Sequence, residues 1–287
     1  MNDLNSKGKT GLSIVVLFVL LIVPIVASSS IGLAVTAMVY GKATVEFYMS
    51  NPWPGFMVGA LVAAIPSIII YRFCGKRVLG QLPESSASSH GLRELLLGIF
   101  IGGGTVTIAT FFFTLFGVYH IVGSGSVRGV LIGLALGIGS GVAEEILFRG
   151  VVLKLLFEKY GAVWAIIQTS IMFALIHYGN NTDIAEVIGV FVGAGLLLNG
   201  VWFLTKRVWV CIGTHFAWNF FLGGVFGMPV SGIAMEGGIF KSELRGSELI
   251  TGGVNGPEAS VLFVAVTAVV GIAILSIAWK RGGMKQT

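Results

Sequence analysis

The chain has 287 residues, of which 55% are hydrophobic and only 11% charged, and its mean hydropathy is +0.92. Soluble domains carry about 25% charged residues, so a water-soluble globular protein is excluded and most of this surface must face lipid. The net charge of +5 is not a nucleic-acid footprint either, because the basic residues gather at the ends of apolar runs, where they orient membrane helices.

Runs of the roughly 20 apolar residues that cross a bilayer lie at about 11–38, 55–73, 92–118, 128–148, 161–177, 184–205, 208–226 and 258–279. They predict an all-α, polytopic integral membrane protein of about eight transmembrane helices. The first run follows Lys7 and Lys9 and ends in small residues, as a signal peptide does. Its apolar stretch continues past Ser30 to Tyr40, which favours a retained helix bent at Pro24. If the amino terminus is cytoplasmic and the chain alternates sides, all 18 Lys and Arg but Lys42, Arg128, Lys241 and Arg245 fall inside. That bias puts both termini in the cytoplasm. Residues 80–94, "GQLPESSASSHGLRE", read as an inside linker, and 227–257, rich in Gly, Ser and Glu, as an extracytoplasmic loop. The chain then divides into 1–89 with the first two helices and the linker, a core at 90–226, and 227–287 with the outer loop and the last helix. Cys74 and Cys211 have no motif spacing and read as buried thiols, with neither a disulfide nor a metal site implied.

The fourth run ends in "GIGSGVAEEILFRG", which places Glu144, Glu145 and Arg149 where hydrocarbon is the expected solvent. A charge at the centre of a membrane helix costs roughly 2.5 to 3.5 kcal/mol or more, and such residues mark sites or pathways. Gly129, Gly133, Gly137 and Gly141 recur at every fourth residue, and the same ridge continues to Glu145 and Arg149. The glycines make a smooth face for another helix. Glu145 and Arg149 are an i,i+4 pair in the favourable order. Glu144, rotated about 100° from Glu145, is left without that partner.

Two later helices supply groups to meet it. In "FALIH", Phe173 and His177 share a face one turn apart. Gly161 is the natural turn between the acidic helix and this one, and Glu144 and His177 lie nearly equal distances from it along the chain, hence at similar depth. In "HFAWN", His215 and Asn219 again share a face. A glutamate and a histidine converging on one water form a general-base arrangement, and a second histidine with an asparagine supplies donors for a developing oxyanion. Together they describe attack of water on an amide or ester.

In order, "EEILFR" (144–149), "FALIH" (173–177) and "HFAWN" (215–219) resemble the EExxxR, FxxxH and HxxxN motifs of the CPBP intramembrane proteases, also called the Abi or CAAX prenyl protease family. The resemblance covers about residues 90–226. It implies an eight-helix integral endopeptidase with a polar intramembrane cavity open to the cytoplasm. Glu144 and His177 would activate water, His215 and Asn219 would form the oxyanion hole, and Glu145, Arg149 and Phe173 would be structural and electrostatic support. Members are often labelled metalloproteases, and Glu144, His177 and His215 could supply a zinc site. The HExxH helix of zincins is absent, and a metal-free glutamate mechanism also accounts for Asn219, so no cofactor is expected. The expected partners are a peptide or lipidated peptide and membrane lipid, without nucleic acid, and the expected location is the bacterial cell membrane. A non-catalytic protein of the same fold, such as a bacteriocin self-immunity factor or a membrane scaffold, is the alternative; the filled motif positions favour an enzyme. A proton-coupled carrier would use buried Glu and His as a relay, but the inverted repeats and broken-helix pairs of carriers are missing from the sequence.

Overall fold

The computed structural model describes residues 2–41, 53–79, 90–178 and 184–286. Residues 80–89 of the expected linker and 179–183 lie outside them. Helices α1 (Asn2–Tyr40), α2 (Trp53–Leu79) and α3 (Gly91–Leu115) come first. After strand β1 (Tyr119–Ser124), α4 runs over Val127–Tyr160. Gly161, with φ +79°, turns the chain into α5 (Ala162–His177). Then follow α6 (Ile184–Thr205), α7 (Val208–Val225), strand β2 (Phe240–Leu244), the single turn α8 (Glu248–Thr251) and α9 (Val261–Lys280). Among the described residues, six helices are long and apolar enough to cross a membrane: the Phe18–Tyr40 part of α1, α3, α4, α6, α7 and α9. The shorter apolar helices Met57–Phe73, within α2, and α5 coincide with the two remaining predicted runs. The protein is an all-α polytopic membrane protein.

Local chemistry explains several boundaries. Ser126 caps α4 by accepting the Gly129 N–H at 2.9 Å, which satisfies a backbone donor left open at a helix start. Ser260 does the same for α9 through Phe263 N–H at 3.3 Å. Along the glycine ridge, α4 meets α7 backbone to backbone. A Cβ on Gly137 would stand 2.8 Å from the Phe216 carbonyl oxygen, and one on Gly141 2.9 Å from the Phe216 nitrogen. Only glycine allows this approach, the small-residue packing of membrane helices.

The composition did not announce two features. The first is a two-stranded antiparallel sheet, Tyr119 opposite Leu244 and Ser124 opposite Phe240, built from the short connection between the third and fourth runs and from the outer loop. The second is a π-helical turn inside each of three core helices, at Phe148–Val152 in α4, Phe191–Gly195 in α6 and Phe220–Val225 in α7. π turns widen a helix by one residue and re-aim the side chains beyond them.

At one end of the bundle, Arg207 at the α6–α7 turn pairs with Glu94 at the start of α3 at 3.5 Å, and Gln286 after α9 donates to the Phe157 carbonyl near the end of α4 at 2.5 Å. The sheet lies at the other. The ends of α3, α4, α6, α7 and α9 that alternation puts on one side are thus together.

Candidate active site

Glu145 and Arg149, on consecutive turns of α4, are both fully buried. Arg149 Nη1 donates to Glu145 Oε1 at 2.7 Å. Snorkelling to the lipid headgroups is therefore ruled out for these two. Arg149 Nε donates to Asn199 Oδ1 on α6 at 3.3 Å, and Asn199 Nδ2 in turn donates to Ser170 Oγ (2.9 Å) and the Ile166 carbonyl (3.3 Å) on α5. The guanidinium also lies 4.4 Å from the centre of the Phe173 ring, a cation–π contact. Arg149 occupies the π turn of α4, so the charge that neutralises Glu145 also ties together α4, α5 and α6.

Glu144 points elsewhere. It lines a cavity of about 450 Å³ bounded by α1, α2, α4 and α5, together with Ser140, Met172 and His177. Its Oε2 is buried with no hydrogen-bond partner among the described residues. Buried polar atoms are normally satisfied, and an exception beside a histidine calls for a chemical explanation. His177 Nδ1 lies 2.8 Å from the Phe173 carbonyl oxygen. A carbonyl only accepts, so Nδ1 carries the proton and Nε2 is the acceptor of the neutral ring.

His215 and Asn219 are buried on α7, 5% exposed each. His215 Nδ1 contacts Glu145 Oε1 at 2.8 Å, so the carboxylate that holds Arg149 also orients this imidazole. Asn219 Nδ2 donates to Ser140 Oγ at 2.7 Å, and Ser140 Oγ donates on to the Leu136 carbonyl at 2.7 Å. One amide hydrogen of Asn219 is engaged, and the second remains for a ligand. The Phe173 ring packs against both imidazoles, with centroids 5.0 Å from His177 and 5.7 Å from His215. His177, His215 and Asn219 share a second cavity of about 10 Å³ with Thr214, Ser231 and Glu258, room for roughly one water molecule. His177 borders both cavities. The structure thus brings Glu144 to His177, and His177 to His215 and Asn219.

Among the described residues, no three His, Cys, Asp or Glu side chains are grouped so as to hold a metal ion. Glu144, His177 and His215 are not grouped in that way.

Sequence reasoning missed Ser140, Ser170, Asn199 and Glu258. Ser140 precedes Glu144 by one turn, and Asn199 is a lone polar residue in "GLLLNGVWF"; both signals were available. Glu258 is the first residue of the last apolar run, and nothing local announces its burial.

Residues 126–221 match the family described as Type II CAAX prenyl endopeptidase Rce1-like. The matched segment, 96 of the 287 residues, is similar to that family of CAAX prenyl endopeptidases. No curated protein matches the chain. The CAAX protease match takes in α4, α5, α6 and most of α7, hence every motif residue from Glu144 to Asn219, whereas α1 to α3, the sheet and α9 lie outside it.

Proposed function

We propose that the protein is an intramembrane endopeptidase in which Glu144 and His177 activate a water molecule and His215 and Asn219 stabilise the oxyanion. The observation that carries the reading is the buried, unpartnered Oε2 of Glu144 in the cavity it shares with His177. Glu144 takes a proton from water while His177 Nε2 accepts the other hydrogen, and the water oxygen bonds to the scissile carbonyl carbon. The carbonyl oxygen becomes an oxyanion facing the second N–H of Asn219 and the His215 ring. Glu144 then returns the proton to the departing amine as the C–N bond breaks. Glu145 stays out of the proton transfer because Arg149 and His215 hold its Oε1 and its side chain lines neither cavity. The larger cavity is walled mainly by apolar side chains, including Phe18, Ile22, Ile25 and Met172, which suits a peptide with a lipid-soluble part entering beside the reacting centre.

The test uses purified full-length protein in liposomes with peptides carrying or lacking an apolar modification, alongside comparative peptide proteomics of cells. Glu144→Gln should lower kcat by about 10²-fold or more with an unchanged thermal midpoint. Full turnover in that variant overturns the assignment. Prolonged chelation should leave wild-type cleavage intact, and its loss, restored by zinc, would replace the water-activation scheme with a metal one.

A further inference from the structure

We infer that Glu258, from the segment before α9, is a positioning residue for the His215–Asn219 helix: it latches Trp218 and Ser231 and so closes the small cavity. This rests on the proposed peptidase reading for its consequence in turnover, but its structural half can be tested without it.

Glu258 lies outside the family match and is only 5% exposed. Its Oε1 accepts the indole N–H of Trp218 at 2.8 Å. Its Oε2 accepts two donors from one residue, the backbone N–H of Ser231 at 2.5 Å and Ser231 Oγ at 3.1 Å. Ser231 has φ +45°, a left-handed conformation that a residue with a side chain adopts only where its surroundings over-determine it. The double capture by Glu258 is that determination. From the other side, α6 presses on the same residue: a Cβ on Gly189 would collide with the Glu258 carbonyl oxygen. The carboxylate therefore knots α7 and the 226–233 loop together at a point where α6 packs directly against the backbone.

The knot matters because of where Trp218 sits. It lies between His215 and Asn219, and α7 leaves the α-helical pattern immediately after Asn219, at Phe220. A π turn that migrated one turn towards the start of the helix would rotate the residues beyond it by about 100°. Asn219 would then swing away from Ser140 and from the cavity. Trp218, held by Glu258 and packed edge-to-face on Phe263 with centroids 5.7 Å apart, fixes the last α-helical turn in place. Ser231 and Glu258 also form the wall of the small cavity with His177, His215 and Asn219, so opening the latch would admit water from the loop side.

The test compares full-length wild type, Glu258→Ala, Glu258→Gln and Trp218→Phe. Trp218→Phe keeps the aromatic packing and removes only the indole donor, so it decides if Glu258→Ala does not fold. Glu258→Ala and Trp218→Phe should each lower kcat about tenfold or more with KM nearly unchanged. Glu258→Gln, which still offers an acceptor to the indole, should recover part of that loss. Amide hydrogen exchange should rise in residues 214–222 for both disabling variants. Wild-type kcat in Trp218→Phe, or faster exchange confined to 226–236, would overturn the positioning role. If the wild type cleaves no peptide, the peptidase reading fails while exchange over 214–222 still decides the latch.

Discussion

The core helices α4 to α7 and the N-terminal pair α1–α2 are all apolar but are held in different ways. In the spanning windows of α6 and α7, 67% and 72% of residues are buried, against 17% in α1. The core is interlocked by polar groups, Glu145 to Arg149 to Asn199 to Ser170 and Asn219 to Ser140. The pair leans on α4 through small residues: a Cβ on Gly139 would lie 3.0 Å from Ala60 Cα on α2, and Gly59 of α2 approaches the Ser28 carbonyl of α1 just as closely. In a bilayer, apolar contact gives no preference for protein over lipid, so hydrogen bonds and close packing decide which helices are fixed. The chemistry sits on the locked helices, and the more exposed pair forms a wall of the cavity beside it.

The sharpest way to break this contrast is Arg149→Ala. It strands Glu145 and His215 in a fully buried site and also frees Asn199, and removing one partner of a buried ion pair costs about 3–5 kcal/mol. The expected result in detergent is a large fall in thermal midpoint or no folded protein. A midpoint equal to that of the wild type would mean that the polar lock is not what holds the core.

The other side of the contrast is tested at Gly139, which faces the cavity and Ala60 together. Gly139→Leu should push α2 outward and fill the groove, an overpacking cost of about 1–3 kcal/mol, smaller than that of Arg149→Ala. For a peptide with an apolar modification, KM should rise about tenfold with kcat little changed, while an unmodified peptide is unaffected. An equal rise for both peptides would make the pair a scaffold and not a wall of the substrate site.

What was legible in the sequence follows the same division. Charges and histidines in hydrocarbon are rare enough to be read singly, which is why Glu144, Arg149, His177, His215 and Asn219 could be found on three helices before any fold was known. The i,i+4 geometry of one helix was enough to separate Glu145 from Glu144, because it depends only on local periodicity. Ser170 and Glu258 escaped because their roles depend on contacts between elements distant in sequence, which periodicity does not carry. The π turns at Phe148–Val152, Phe191–Gly195 and Phe220–Val225 escaped for a related reason: they are a change in backbone hydrogen bonding that apolar periodicity does not mark. The β1–β2 pairing joins segments about 120 residues apart, and short alternating strands of that kind carry too weak a local signal beside apolar runs.

The smallest expected effect concerns Lys206, a cation outside the spans that is neither locked like Arg149 nor fully solvated. Its Nζ lies 4.4 Å from the Phe157 ring, 4.2 Å from Trp202 and 4.4 Å from Phe203. Burial pushes its pKa down from 10.5 to about 8, while the three rings favour the ammonium form. With the folded value depressed, the unfolded chain holds a proton that the folded chain has released between about pH 8 and the usual lysine value, so stability rises with pH through that window. Below about pH 8 the full cost of the half-buried charge is present. Lys206→Met removes the titration. The thermal midpoint of the wild type should therefore gain on that of the variant by about 2 °C between neutral pH and pH 10. A difference that stays flat would mean that the rings keep Lys206 charged throughout, which would place it with Arg149 among the cations fixed by their aromatic and polar surroundings.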